Sequence, residues 1–201
     1  MLRLRELSRN VEAVLGEVAE KFSTYQQQQG LNCRAGCGEC CLQPTIESSA
    51  LEMLPLALHL FDQGSAEHTL QQFEQEPLKQ SCMFYQKLSF DGRKGQCTVY
   101  QQRPSICRMF GASGYRDKMG QTSLSVCKVI KADHPEHYSQ SLIMLTSTPP
   151  PLMMVASEAL KELDYSFGNN LQPINLALKQ ALETVLFNAG LSGYDDDTQI
   201  A

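Results

Sequence analysis

No apolar stretch of the chain approaches the ~18 residues that a membrane span needs, which excludes a membrane-embedded protein. Residues Met1 to Asn10 lack an uninterrupted apolar h-region and a small-residue cleavage site. No secretory signal is visible there, and a cytoplasmic protein is expected. Basic residues are in the minority: 17 Lys and Arg against 22 Asp and Glu give a net charge of −5. That balance, with a pI near 5.4, argues against a globally basic nucleic-acid binder. Tryptophan is absent and aromatics are few. There is no internal repeat, and no phosphate loop, Ser–His–Asp arrangement or paired-carboxylate constellation stands out. What is left is a 201-residue chain, 42% hydrophobic, with enough apolar mass for one core. A single domain over 1–201 is expected.

Cysteine is the residue in excess. All eight lie between Cys33 and Cys127: Cys33, Cys37, Cys40, Cys41, Cys82, Cys97, Cys107 and Cys127. The first four fall in Cys33-Arg-Ala-Gly-Cys37-Gly-Glu-Cys40-Cys41. A disulfide framework would need an oxidising compartment. Neighbouring Cys40 and Cys41 also join poorly, since Cα atoms ~3.8 Å apart fall short of the ~4.4–6.8 Å a disulfide prefers. Clustered thiols in a reducing compartment are better read as ligands, and soft thiolate selects zinc, copper(I) or iron–sulfur clusters. Burial as small hydrophobes explains an isolated thiol better than four thiols interleaved with Gly36, Gly38, Arg34 and Glu39. The glycines are expected to let the backbone curl at positive φ. Cys40 and Cys41 are expected to point apart, each serving a different site or one bridging.

The second half of the pattern carries its own local signals. Asp91-Gly92 is a turn signal, so Cys82 to Tyr100 is expected to form a hairpin that sets Cys82 beside Cys97. Pro104 is expected to start a short helix carrying Cys107 and Arg108. Between Lys87 and Lys131 nine basic residues stand against Asp91 and Asp117. That field is expected to lower thiol pKa values and to offset the charge of a thiolate centre. Arg103 and Arg108 are candidate donors to sulfur.

At these residues the chain resembles the cysteine-cluster family of zinc- or iron-chelating proteins, also described as iron–sulfur cluster-containing. The resemblance runs over Cys33…Cys37-Gly38-x-Cys40-Cys41, Cys82, and Cys97-x2-Tyr100-x2-Arg103-Pro104-x2-Cys107-Arg108-x-Phe110. It implies that all eight cysteines belong to a metal-binding core, with Tyr100, Arg103 and Arg108 of the same motif as candidate cofactor-binding residues. The pattern is also similar to that of a flagellin lysine methylase, which raises a cluster-assisted enzyme, methylase-like or oxidoreductase, as an alternative to a structural, electron-transfer or metal-handling role. Eight thiols suit two four-cysteine zinc sites, one four-iron cluster with four thiols besides, or two clusters. The C-x3-C-x2-C spacing also occurs in radical enzymes that cleave S-adenosylmethionine, but no strand–helix alternation suits their barrels.

The flanks read as helices. Leu4, Leu7, Val11, Val14, Leu15, Val18 and Phe22 recur at three- and four-residue steps, predicting a helix to about Gln28 that ends at Gly30. Further helices are expected from Ser49-Ala50 to Phe61 with Pro55 inside, over Glu67 to Glu76 closed by Pro77, over Met153 to Leu163, and over Pro173 to Asn188. The tail Asp195-Asp196-Asp197 is expected to be frayed and solvated. His134 and His137 read as exposed loop histidines around Pro135. The expected fold is mainly α: flanks 1–31 and 128–201 packed around an irregular cysteine-rich, metal-centred core at 32–127 with a short β-hairpin.

Overall fold

The computed structural model describes residues 1–75 and 81–197. Helix α1 (Leu2–Gln28) buries Val11, Leu15, Val18, Phe22 and Tyr25, one apolar stripe at helical spacing. Gly30 then turns the chain at φ +65° and opens the cysteine loop. Strand β1 (Glu47–Ser48) leads into α2 (Ala50–Asp62). Ser49 caps α2 by accepting the Glu52 N–H, and Pro55 sits within the helix without ending it. Nearly every residue of α2 from Ala50 to Leu60 is buried, so it forms the central rod of the fold. After α3 (Ala66–Gln75) the expected stop at Glu76 and Pro77 lies outside the described residues.

The middle of the chain is built of short pieces. Strands β2 (Tyr85–Lys87) and β3 (Gly95–Cys97) pair antiparallel, with Tyr85 opposite Cys97. A 3₁₀ turn at Tyr100–Gln102 precedes α4 (Ser105–Met109), whose N-cap is Pro104. A second hairpin, β4 (Ala112–Arg116) with β5 (Thr122–Val126), was not expected from the sequence. It delivers Cys127 to the start of α5 (Lys128–Asp133), which is followed by α6 (Pro135–Ile143). His134 stands between α5 and α6 and His137 lies on α6, so these histidines belong to a helical corner, not to a loop.

The C-terminal part packs back on the first half. Helix α7 (Met153–Leu163) is followed by the single turn α8 (Tyr165–Gly168), by β6 (Gln172–Pro173), which pairs with β1, and by α9 (Ile174–Asp197). Helix α9 runs beyond the expected end at Asn188 and takes in the backbone of Asp195 to Asp197, while the side chains of those aspartates lie outside the described residues. Leu178, Ala181, Leu182 and Val185 of α9 close on Met53, Leu54, Ala57 and Leu60 of α2 in the largest core cluster, with Cys82 and Cys107 at its margin. The molecule is mainly α, with helices around an irregular cysteine-rich segment. No helix among the described residues is long and apolar enough to cross a membrane.

Candidate metal centre

Cys33 to Cys41 lie on the loop between α1 and β1, which is laced to the first hairpin by backbone bonds. Gly38 N–H donates to Arg93 O at 2.8 Å, Gly95 N–H donates to Gly36 O at 3.0 Å, and Cys37 bridges to Lys94. Gly36 adopts φ +71° as its place in the turn requires. Gly38 does not take positive φ, contrary to expectation. Its lack of a side chain serves close approach instead, because the Tyr85 hydroxyl occupies the space of a Cβ. Cys40 and Cys41 do not point apart either. They sit in a turn closed by Leu42 N–H to Gly38 O, and their thiols hydrogen-bond to each other. Ion pairs clasp the loop from outside: Arg34 takes Asp133 of α5 through two bonds of 2.9 and 2.6 Å, and Glu39 meets Arg93 and Lys128, both at 3.3 Å.

The other four thiols arrive on separate supports. Cys82 and Cys97 flank the first hairpin, within electrostatic reach of each other as expected. Each accepts a hydrogen bond from the backbone N–H two residues on, Phe84 to Cys82 and Val99 to Cys97, an arrangement that favours thiolate. Cys107 rides on α4, and Cys127, whose N–H donates to Gly111 O at 2.8 Å, caps α5.

Two buried polar residues hold these supports, and the sequence reading passed over both roles. The Glu52 carboxylate accepts the Ser105 N–H at 2.8 Å and so fixes the start of α4. Asn175 of α9 brackets Cys82, accepting from Met83 N–H and donating to Ser81 O, each at 3.1 Å. The available signal was a polar side chain inside an otherwise apolar helical run.

All eight cysteines, from five stretches of chain, line one cavity of about 670 Å³ with Ile46, Met53, Leu56 and Ile174 in its wall. Every cysteine is a free thiol. The donors are almost all sulfur, a set that suits a soft metal and suits magnesium or calcium poorly. Among the described residues no three His, Cys, Asp or Glu side chains already converge on a coordination point.

The electrostatics correct one expectation. The thiols of Cys33, Cys40, Cys82, Cys97 and Cys107 have their pKa values raised, not lowered. Burial, then neighbouring thiols, push Cys33 and Cys107 up to about 12 and Cys82 up to about 11. The bond to Cys41, followed by burial, drives Cys40 up as well. Arg103 lowers Cys97 and Cys107, but burial outweighs it at both. Surface cations are too well solvated to deprotonate buried sulfur; a coordinated metal ion would supply the charge that does so.

Arg103 stacks on the Tyr100 ring, 3.5 Å from its centroid, and donates to Tyr100 O and Cys107 O; both residues line the cavity. Arg108 directs its donors to the Arg103 and Gln101 carbonyls and braces that turn. A second cavity, also about 670 Å³, backs onto Cys37 and is walled by Arg34, Glu39, Asp91, Arg93, Lys94 and Lys128.

The family model CxxCxxCC, described as a putative zinc- or iron-chelating domain, matches residues 32–128. The first cysteine gap is one residue longer here than in that motif, since Arg34, Ala35 and Gly36 separate Cys33 from Cys37. No curated protein and no solved structure matches the chain.

Proposed function

With residues 32–128 belonging to the CxxCxxCC family, we propose that the chain holds an iron–sulfur cluster or zinc through the thiolates of Cys33, Cys37, Cys40, Cys41, Cys82, Cys97, Cys107 and Cys127. Its role is then structural, electron-transferring or metal-handling, in a reducing compartment such as the cytoplasm. One observation carries this reading: thiols as far apart in sequence as Cys33 and Cys127 line the same cavity. Eight thiols gathered by chance burial would not be served by N–H donors at Cys82 and Cys97. Arg103 stands beside Cys97 and Cys107 and offsets part of the thiolate charge. A bound iron–sulfur centre would supply one-electron chemistry, whereas zinc would supply cross-linking.

Anaerobic purification, elemental analysis and a visible spectrum test the proposal. Several irons with a brown chromophore, or about two zincs in a colourless protein, support it. A metal-free protein with eight titratable thiols overturns it.

A second reading is favoured by the polar cavity behind Cys37, which adjoins the thiol-lined one. In that reading the centre acts as part of an enzyme on a substrate bound there. A spectrum of the loaded protein that shifts on adding cyanide marks an open coordination position, as the enzyme reading requires; an unchanged spectrum marks a closed, structural site.

A further inference from the structure

Two polar side chains are buried on the helices of the central core, Glu52 on α2 and Asn175 on α9, each 6% exposed. A polar group so placed is costly unless it is hydrogen-bonded. Both direct their bonds to backbone beside a cysteine. Asn175 holds Cys82 from either side along the chain, its Oδ1 accepting the Met83 N–H and its Nδ2 donating to Ser81 O, each at 3.1 Å. The N–H of Cys82 itself donates to Cys41 O at 3.3 Å. Three successive residues are thereby fixed between α9 and the end of the cysteine loop. The start of α9 is anchored in turn, since Ile174 N–H donates to Ile46 O at 2.9 Å and β6 pairs with β1.

Glu52 does the same for Cys107. Ser105 opens α4, and its N–H is one of the donors that a helix start leaves without an intrahelical acceptor. The residue is buried, so solvent is a poor substitute, and the Glu52 carboxylate accepts the bond at 2.8 Å. Cys107 follows in the same short helix. Met53 beside Glu52 and Ile174 beside Asn175 both stand in the wall of the thiol-lined cavity. The core carrying them closes through Leu54, Ala57, Leu178 and Leu182, none of which is a donor to metal.

We propose that Glu52 and Asn175 are positioning residues for the metal centre. From the apolar core they restrict the backbone at Cys107 and Cys82 in the metal-free chain, so that these thiols reach a metal with less disorder to lose. These roles rest on the metal-binding reading above. They add that the metal-holding unit extends past the family-matched residues 32–128 to a side chain of the C-terminal helix.

Cobalt(II) is a suitable probe, because its thiolate charge-transfer band grows with the number of coordinated sulfurs. The reduced, full-length protein is titrated under anaerobic conditions against a competing chelator. Asn175→Leu keeps the branched shape of the side chain and removes both hydrogen bonds, and Glu52→Ala removes the bond to Ser105. Each is expected to weaken cobalt binding about 10-fold or more and to lower the band per bound ion. Glu52→Gln keeps an oxygen for the Ser105 N–H and should bind as the wild type does. Leu182→Ala, about two turns along α9 from Asn175, should lower the melting temperature and leave cobalt affinity unchanged.

Wild-type affinity and spectrum in either Asn175→Leu or Glu52→Ala overturn the role assigned to that residue. A Leu182→Ala protein that loses affinity as they do overturns both roles, because general loosening of the core then explains the effect. Should Asn175→Leu not fold, the Glu52 pair decides: weaker binding with Ala than with Gln supports the proposal, and equal binding overturns it. A wild-type chain that takes up no thiolate-bound cobalt overturns the metal-binding reading and the positioning roles with it.

Discussion

The Tyr85 hydroxyl lies where a side chain at Gly38 would stand, and it donates to Gly92 O at 2.6 Å. Gly95, across the hairpin, is bounded in the same way by the Tyr85 ring and by Gln86 O. One buried aromatic ring therefore joins the cysteine loop to the hairpin through two residues that have no Cβ. Gly38→Ala is expected to displace the ring and destabilise the protein by about 1–3 kcal/mol, the usual cost of overpacking. Combining Gly38→Ala with Tyr85→Phe removes the nearest clashing atom and should recover part of the loss. Thermal melting of the two single variants and the double tests this, and strict additivity would show that the two residues do not meet.

Glu52 is 6% exposed, and burial holds its carboxyl above the ordinary Glu range, although hydrogen bonds from Ser105 and Ser49 pull the other way. The folded state thus keeps this proton to higher pH than the unfolded chain does. Through this group, stability is greatest below the unfolded pKa and falls as pH rises through the window up to the folded value. Glu52→Gln keeps an oxygen for the Ser105 N–H but loses the titration. Its stability relative to wild type should rise as pH climbs from the ordinary carboxylate range upward, in urea denaturation. Glu52→Ala strands a buried N–H and should cost about 1–3 kcal/mol. A wild-type minus Gln difference that is flat with pH would refute the assignment.

The parts of this architecture that could be read in the sequence are those whose signals are local. Helix α1 shows its stripe from Val11 to Phe22, α2 shows its Ser49 cap, and the first hairpin shows Asp91-Gly92 at its tip. The second hairpin was not legible because Ala112 to Arg116 is rich in small residues and Thr122 to Val126 offers only the short alternation of Leu124 and Val126 with serines. Their burial comes from packing under Tyr25, Leu31 and Ile130, which is a tertiary fact. Helix α5 offers a single buried apolar residue, Ile130, too little for a periodic pattern. At the site, the eight cysteines were plain, whereas Glu52 and Asn175 act through bonds to backbone 53 and 92–94 residues away.

Tyr25 presents a different kind of irregularity. Its ring is 5% exposed in the cluster with Leu31, Ala112 and Ile130, and its hydroxyl has no hydrogen-bond partner among the described residues. A buried hydroxyl without a partner carries its desolvation cost uncompensated. Tyr25→Phe should therefore raise stability by about 1 kcal/mol, with metal content unchanged. A clear loss of stability in chemical denaturation would mean that the hydroxyl has a partner in solution, such as a water.

Metal and fold should be coupled unevenly across the molecule. The α2–α9 core closes through Leu54, Ala57, Leu178 and Leu182 without using a cysteine of the loop, whereas the segments bearing Cys33, Cys82, Cys97, Cys107 and Cys127 meet mainly around the cavity. A site that does not exist in the unfolded chain contributes its binding energy to folding. Chelation, or replacement of Cys33, Cys37, Cys40 or Cys107 by Ser, should strip metal and lower stability by several kcal/mol, on the order of a lost structural site. Hydrogen exchange should then rise first at the hairpins and at α4 and α5, while the amides of α2 and the first half of α9 stay protected. If chelated and loaded protein melt at the same temperature with the same exchange pattern, the thiols are not holding these segments together through metal.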